Sequence, residues 1–231
     1  MNLKITEVEH YTSKLFRIRT ERPQSFRFTA GEFVMIGLPG LKVKRAYSVS
    51  SGPYDEFLEF YSIKAPDGAL TSELQKVKQG DLLEVSEKTS GTLTLANLEL
   101  GGNLWLMATG TGIAPFISLL RDPETFESFD SINVTWTVRH SAELAAYNDF
   151  LQDTCLLYFP TVTQEDFVNK GRIQQFINKE ITIDNPLRDK VLLCGSINFN
   201  TDLKDYFLDR GWNEGSNRTV GTLLQEKAFV S

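Results

Sequence analysis

The sequence predicts a β + α/β protein, with a small antiparallel barrel or sandwich first and a parallel sheet flanked by helices second. Three observations carry this. Up to about Leu95 the chain runs in short alternating or β-rich stretches separated by turn signals. After "LELGGN" strand-like runs alternate with helical ones, the pattern of a parallel sheet covered by helices. Between these regimes lies "LWLMATGTGIAPFISLL", Leu104 to Leu120: an apolar run, a glycine turn, then a second apolar run. The boundary falls at Gly101-Gly102, giving domains 1–100 and 101–231.

Six strands are expected in the first half: "LKITEVEHY", "LFRIRT", "EFVMIGL", "RAYSVSS", "FLEFYSI" and "LLEVSE". The turns "TAGE", "LPG", "SSGPYDE", "APDG" and "KQGD" separate them. One short helix interrupts the series in "GALTSELQKV", where Ser72 is expected to cap and Gln75 completes a capping-box spacing. In the second half "NLWLMA", "INVTWTV", "LLYFPTV" and "KVLLCG" read as strands. "PFISLL", "ELAAYNDFL", "RIQQFI" and "NTDLKDYFLDR" read as helical, and "TLLQEKAF" closes the series. The helix from about Thr201 is expected to end before Gly211, a suitable C-terminal stop.

Composition narrows the function. The 231 residues fit one large or two small domains, and 41% hydrophobic content is ample for a core. A formal net charge of -6 argues against nucleic acid as a partner. Two cysteines, Cys155 and Cys194, cannot alone supply a four-thiolate metal or iron–sulfur site. Reduced thiols suit a cytoplasmic protein. The start "MNLKITEVEH" has no apolar signal core, and no apolar run reaches membrane-helix length, so no membrane insertion is expected. His10 and His140 lack metal-ligand spacing, so no metal is expected; His140, next to Arg139, is a further candidate for phosphate.

The chemistry concentrates at two places. Gly110-Thr111-Gly112, followed by Pro115, opens a helix after a strand. Glycine lets backbone approach a pyrophosphate, and a helix start adds partial positive charge. Proline suits the first helical turn. Read alone, the stretch fits an ordinary strand-to-helix turn equally well. In "KRAYSVSS" Arg45 and Tyr47 share one strand face. A guanidinium can fork onto pyrophosphate and a tyrosine ring can stack on a flat heterocycle. By itself this stretch is equally a surface strand.

The order of signals decides between these readings. "RAYS", "FYSIK", "GALTSEL", "GTGIAP", "TVRH", "GRI", "LLCGS" and "EKAFV" follow one another in one chain. This series resembles the ferredoxin–NADP⁺ reductase family, in its compact bacterial ferredoxin/flavodoxin reductase form, over essentially the whole chain. The resemblance implies an antiparallel Greek-key FAD-binding barrel followed by a Rossmann-like NADP-binding domain. It implies FAD and NADP(H) as cofactors, a ferredoxin or flavodoxin as partner, and a monomer. Hydride would pass between nicotinamide C4 and flavin N5.

Residue by residue, the resemblance gives Arg45 the FAD pyrophosphate, Tyr47 one flavin face, and Ser48 a hydrogen bond near N5, with Ala46 between them. Tyr61, Ser62, Ile63 and Lys64 would border FAD, and Ala69, Leu70 and Thr71 would present backbone to its pyrophosphate. Thr111 would touch the flavin side while Gly110, Gly112 and Pro115 receive NADP. Val138, Arg139, Thr163, Gln164 and Arg172 would surround NADP phosphates. Cys194, followed by Gly195, would abut the nicotinamide. Read on its own, Cys194 is a small buried hydrophobe. Glu226 would be a polar neighbour of the reacting centre; Ala228 and Phe229 would lie by the flavin and the adenine. Lys42, Lys44, Lys64 and Lys88 would form a basic rim for an acidic carrier.

Two departures from the family pattern stand out. Gln164 in "VTQE" replaces the usual arginine, and "LQDTCLLYFP" and "ITIDNPLRDKVLL" leave short connections. The alternatives are a flavin reductase, the reductase component of an oxygenase, or a non-catalytic nucleotide-binding redox-sensing module.

Overall fold

The computed structural model describes residues 1–155 and 157–228. They pack as two compact units: Met1–Gly91 together with Ala114–Asp122, and Thr92–Ile113 together with residues 123–228.

In the first unit, strands β1 (Asn2–His10), β2 (Leu15–Glu21), β3 (Phe33–Gly37), β4 (Lys44–Ser48), β5 (Phe57–Ile63) and β6 (Leu82–Ser90) form one antiparallel sheet. Its order is β4-β3-β6-β1-β2-β5, so β6 returns to lie between β1 and β3 in Greek-key fashion. Alternation sets the inner face. On β2 Phe16, Ile18 and Thr20 are buried and pair with Ser62, Phe60 and Leu58 of β5, while Arg17 and Arg19 lie on the other face. Leu3, Ile5, Val34, Ile36, Leu83 and Val85 complete this core. Each such side chain contributes roughly 1.5–3 kcal/mol by burial.

β4 and β5 stand at opposite ends of that order, yet they meet. Tyr47 OH on β4 and Ser62 Oγ on β5 lie 3.0 Å apart. Ser50 N, just beyond β4, donates to Glu59 O at 2.9 Å. The sheet is therefore rolled into a barrel, which hides its edges.

Helix α1 (Thr71–Leu74) is a single turn, and Ser72 does not cap it. The N-cap is Leu70, and no side chain caps the turn. The Thr71 hydroxyl donates to Ala65 O at 3.1 Å instead, because the "APDG" turn brings that carbonyl within reach. A Cβ on Gly68 would overlap Thr71 Oγ1 and lie 3.2 Å from Ala65 O, so glycine lets this turn close. Helix α2 (Ala114–Leu119) also belongs to this unit.

The second unit is built on β7 (Asn103–Thr109), β8 (Ser131–Val138), β9 (Leu157–Val162), β10 (Asp189–Gly195) and β11 (Leu223–Lys227). All pairings are parallel, in the order β11-β10-β7-β8-β9. The direction of sheet growth reverses between β7 and β10, and open α/β sheets place ligands at such a point. Helices α3 (Pro123–Ser128), α4 (Asn148–Thr154) and α5 (Ile197–Leu208) complete the unit. Trp105, Met107, Ile173, Val191, Leu193, Phe199 and Phe207 form the core between one sheet face and α5.

Three helical expectations change. α5 begins at Ile197, capped by Ser196, whose Oγ accepts from Phe199 N. That is one turn before Thr201, because Gly195-Ser196 turns the chain directly off β10. "RIQQFI" forms only a 3-10 turn, Ile173–Gln175. "ELAAYNDFL" splits into a 3-10 turn at Ser141–Leu144 and α4. Gly211 has φ +98 and follows the C-cap Asp209 by two residues, as a helix stop requires. Among the described residues no helix is long and apolar enough to cross a membrane.

Candidate functional site

The glycine turn sits at the C-terminal end of β7, where the sheet reverses. Gly110–Ile113 is a 3-10 turn. Gly110 has φ +52, and a Cβ there would meet nothing within 4 Å, so open space adjoins its backbone. Gly112 is the opposite case. A Cβ would overlap the Cys194 carbonyl, lying 2.6 Å from its carbon and 3.0 Å from Gly195 N. The turn thus rests directly on the backbone that ends β10. Trp136 Nε1 on β8 donates to Gly110 O at 2.8 Å, and Thr109 Oγ1 accepts from Ser196 N at 3.0 Å. Three strand ends fix the turn, with Thr111 half-buried and Pro115 buried on either side of Gly112.

Cys194 is buried and pairs in register with Ala108 on one side and Glu226 on the other. Burial pushes its thiol pKa far up, and the Glu226 carboxylate adds to the effect. The thiol is neutral at physiological pH and offers an apolar contact, not a nucleophile. Glu226 is not a loose polar neighbour. Its Oε1 accepts from both the backbone N–H and the hydroxyl of Thr92. Asn200, fully buried, donates to Glu226 O at 2.7 Å, and Ala228 N donates to Gly195 O at 2.9 Å. These bonds carry the last strand to the end of β10. Phe229 lies outside the described residues.

A second cluster forms where β8 and β9 end. Thr163 N and Thr163 Oγ1 both donate to Val138 O, at 3.1 and 3.2 Å, and Gln164 N donates to Arg139 O at 2.9 Å. Arg139 and Gln164 are exposed neighbours. Arg172, also exposed, follows Gly171, whose N–H donates to Val162 O at 2.9 Å. No carboxylate forms an ion pair with either arginine among the described residues. His140 does pair: its Nδ1 lies 3.3 Å from Glu165 Oε2, and Ser141 N donates to Glu165 Oε1 at 2.7 Å. The Ser141 hydrogen bond, with His140 behind it, holds the Glu165 carboxyl below its ordinary range.

In the first unit Arg45 is exposed on β4, and its guanidinium donates to Lys44 O at 3.0 Å. Ala46 and Ser48 are half-buried on the same strand. Tyr47 packs against the rim of the barrel core, and burial raises its phenol pKa. On β5 Tyr61 and Ser62 are buried and Ile63 is half-buried, as is Lys64 just past the end of the strand. Lys64 Nζ donates to Thr12 O at 2.7 Å, and Lys44 Nζ pairs with Glu84 at 2.9 Å. The basic rim is accordingly weaker than the sequence suggests, since two of its lysines already have partners. Ala69 is exposed, Leu70 buried and Thr71 half-buried, at the start of α1.

The sequence reading missed Trp136 and Asn200. An indole inside the apolar run "INVTWTV" is the signal for Trp136, because a buried Nε1–H needs an acceptor. It also missed Glu59, fully buried on β5. Among the described residues no cluster of three His, Cys, Asp or Glu could hold a metal ion.

Residues 2–92, the strands that carry Arg45, Tyr47 and Ser62, match the oxidoreductase FAD-binding domain model. This defines the class: a flavin-type oxidoreductase domain joined to a parallel α/β unit. Across 98% of its length the chain is 43% identical to the flavodoxin/ferredoxin–NADP reductase of Rhodobacter capsulatus, covering 92% of that protein. It is 40% identical to the ferredoxin–NADP reductase of Azotobacter vinelandii, over 84% of this chain and 83% of that protein. A ferredoxin NADP⁺ reductase from Neisseria gonorrhoeae, solved with bound FAD and NADP, superposes with a TM-score of 0.91 at 30% identity, covering 99% and 98% of the two chains. The chain belongs to the ferredoxin/flavodoxin–NADP reductase family.

Proposed function

We propose that this protein is an FAD-dependent oxidoreductase that passes electrons between NADPH and a one-electron carrier, a ferredoxin or a flavodoxin. The observation that carries this reading is 43% identity across 98% of the chain with a flavodoxin/ferredoxin–NADP reductase. Bound FAD supplies the chemistry: hydride exchange with nicotinamide C4 at N5, and single-electron exchange with the carrier.

This chain's residues fit both groups. Arg45 has no carboxylate ion pair among the described residues, so its fork is available to the FAD pyrophosphate. Tyr47, held by Ser62, offers its ring to one flavin face, and Ser48 donates near N5. Tyr61 to Lys64 border FAD, and Ala69 to Thr71 present backbone to its phosphates. Lys64 orients the Thr12 carbonyl more than it meets a phosphate, given its bond.

On the nicotinamide side, the open space at Gly110 is a cradle that any Cβ would fill. Gly110, Gly112 and Pro115 receive the NADP pyrophosphate, and Thr111 faces the flavin side. Arg139, Arg172 and Gln164 hold the 2′-phosphate, with Val138 and Thr163 as backbone support. Neutral, buried Cys194, Gly195 and the Ala228 segment pack by the nicotinamide and exclude water there. Glu226, fixed by Thr92, is a positioning group for that segment rather than a proton donor. Free cysteines support a reducing compartment such as the cytoplasm.

The absorbance spectrum of purified protein tests the reading. A flavin spectrum that NADPH bleaches anaerobically is expected. A colourless protein that cannot be reconstituted with FAD overturns it.

A further inference from the structure

Trp136 is fully buried on β8, and its side chain has a single hydrogen-bonding group, the indole N–H. That group donates to Gly110 O at 2.8 Å. Trp136 pairs in register with Ala108 of β7, so the indole reaches two residues along the neighbouring strand to find this acceptor. Its ring is backed by the buried Tyr147, at 6.4 Å between centroids. All four residues belong to the second unit. A long aromatic side chain inside a parallel sheet thus spends its only donor on the first carbonyl of the glycine turn.

Holding that carbonyl fixes more than one atom. Among the described residues no peptide bond is cis. In a trans plane the C=O and the N–H point in opposite directions. With Gly110 O turned to the indole, the Thr111 N–H of the same plane points away from it. Gly110 alone would not select this orientation. It has φ +52 and no Cβ, and glycine moves between backbone regions at little cost. A plane turned over would present an oxygen where the Thr111 N–H now stands, and an oxygen repels a phosphate that an N–H binds. The space beside Gly110 is open, with nothing within 4 Å of a Cβ built there. The other contacts of the turn, Thr109 Oγ1 with Ser196 N and Gly112 against the Cys194 carbonyl, hold its flanks and not this plane.

We propose that Trp136 is a positioning residue for the coenzyme pyrophosphate: its indole N–H fixes the Gly110–Thr111 peptide plane so that the Thr111 N–H faces the phosphate. This rests on the reading of the glycine turn as the NADP site. The indole does not reach the arginines at the ends of β8 and β9 in this role, so a ligand that carries the 2′-phosphate alone is indifferent to it. Binding of a phosphate to the Thr111 N–H polarises the plane and strengthens the bond from the indole at its other end.

The test uses the FAD-loaded full-length protein, with NADP⁺ and adenosine 2′-monophosphate as ligands. The second carries the 2′-phosphate and no pyrophosphate. Trp136→Phe keeps an aromatic ring and removes the N–H. In titration calorimetry its Kd for NADP⁺ is expected to rise about tenfold, with the Kd for adenosine 2′-monophosphate changed less than about twofold. A second measurement needs no change at Trp136 and stands even if that variant does not fold. With heavy-nitrogen labelling of tryptophan, the three indole N–H signals are assigned by replacing Trp105 and Trp212 with Phe in turn. The Trp136 signal is expected to shift on addition of NADP⁺ and to stay in place with adenosine 2′-monophosphate. A folded Trp136→Phe protein with unchanged NADP⁺ affinity overturns the proposal. Equal losses for the two ligands also overturn it, since the indole would then be structural only, and so does an indole signal that NADP⁺ leaves unmoved while it protects the turn. If saturating NADP⁺ leaves hydrogen exchange at residues 110–113 of the wild type unchanged, the reading of the turn as the coenzyme site is overturned instead.

Discussion

Gly112→Ala is the sharpest perturbation that the second unit allows. The new Cβ would lie 2.6 Å from the Cys194 carbonyl carbon and 3.0 Å from Gly195 N. Carbon atoms rest at about 3.5 Å or more, so relief requires a shift of about 1 Å. The opposing atoms are backbone at the end of the interior strand β10, and no side chain can rotate away. Overpacking of this kind costs about 1–3 kcal/mol of stability. The functional cost is larger, because a displacement near 1 Å at the turn can cost on the order of 10²-fold in rate. Arg45 and Tyr47, the residues proposed for the FAD pyrophosphate and ring, lie in the first unit, so flavin content should be largely unchanged. Gly110→Ala is the internal comparison. Its Cβ meets nothing within 4 Å, but φ is +52, a strain of about 1–2 kcal/mol for alanine. Its methyl would occupy the cradle, so KM for NADPH should rise more than kcat falls. The assay is kcat and KM with NADPH, alongside flavin absorbance and a thermal melt. A Gly112→Ala protein with full flavin and wild-type kcat/KM would refute the placement of the coenzyme on this turn.

Arg45→Ala should lose FAD on gel filtration, since a desolvated phosphate loses a forked partner, and Tyr47→Ser should shift the flavin spectrum; full retention with an unchanged spectrum in both would remove FAD from this rim. Gln164→Arg should tighten NADPH by on the order of 1 kcal/mol and leave NADH nearly unchanged, while Arg172→Ala should erase most of the NADPH preference. Compared as kcat/KM for the two coenzymes, a wild type that prefers NADH would show that the 2′-phosphate lies elsewhere. Glu59→Gln should cost about 3 kcal/mol at neutral pH by leaving the guanidiniums of Arg17, Arg19 and Arg121 short of a charge. Because the Glu59 pKa is depressed in the folded state, its contribution is complete above the unfolded value of about 4.3 and disappears as pH falls through the folded value. Wild-type stability should therefore fall more steeply below that pH than the variant's, and parallel curves in denaturant titrations would contradict the cluster.

On β2 one face is more deeply buried than the other, so the two-residue period survives in "LFRIRT"; β5 is buried on both faces and was legible as a β-rich run between turn signals, "FLEFYSI". The parallel unit was legible from alternation of strand and helix. Local ends were not, because tertiary partners decide them. Helix α1 starts at Thr71, one residue before Ser72, so Ser72 lies inside the turn and has no cap to make. The run "RIQQFI" has helical spacing, but Arg172 is extended and only a 3-10 turn forms. In the candidate site, Arg139, Gln164 and Arg172 span 34 positions of sequence, and the β8–β9 register and the Gly171 backbone bring their segments to the same end of the sheet. Motif order pointed to them; spacing alone did not. Glu59 reads as an outward residue of an alternating strand. Its burial depends on Arg121, 62 residues later, which no local pattern encodes.

The most direct test of the account is double-mixing stopped flow on the FAD-loaded protein. NADPH is added anaerobically first, and oxidised ferredoxin or flavodoxin second. NADPH is expected to bleach the flavin band in one hydride step, and the carrier to restore it with two carrier molecules reduced per flavin. A flavin that NADPH leaves oxidised, or that once reduced gives no electrons to either carrier, would contradict it.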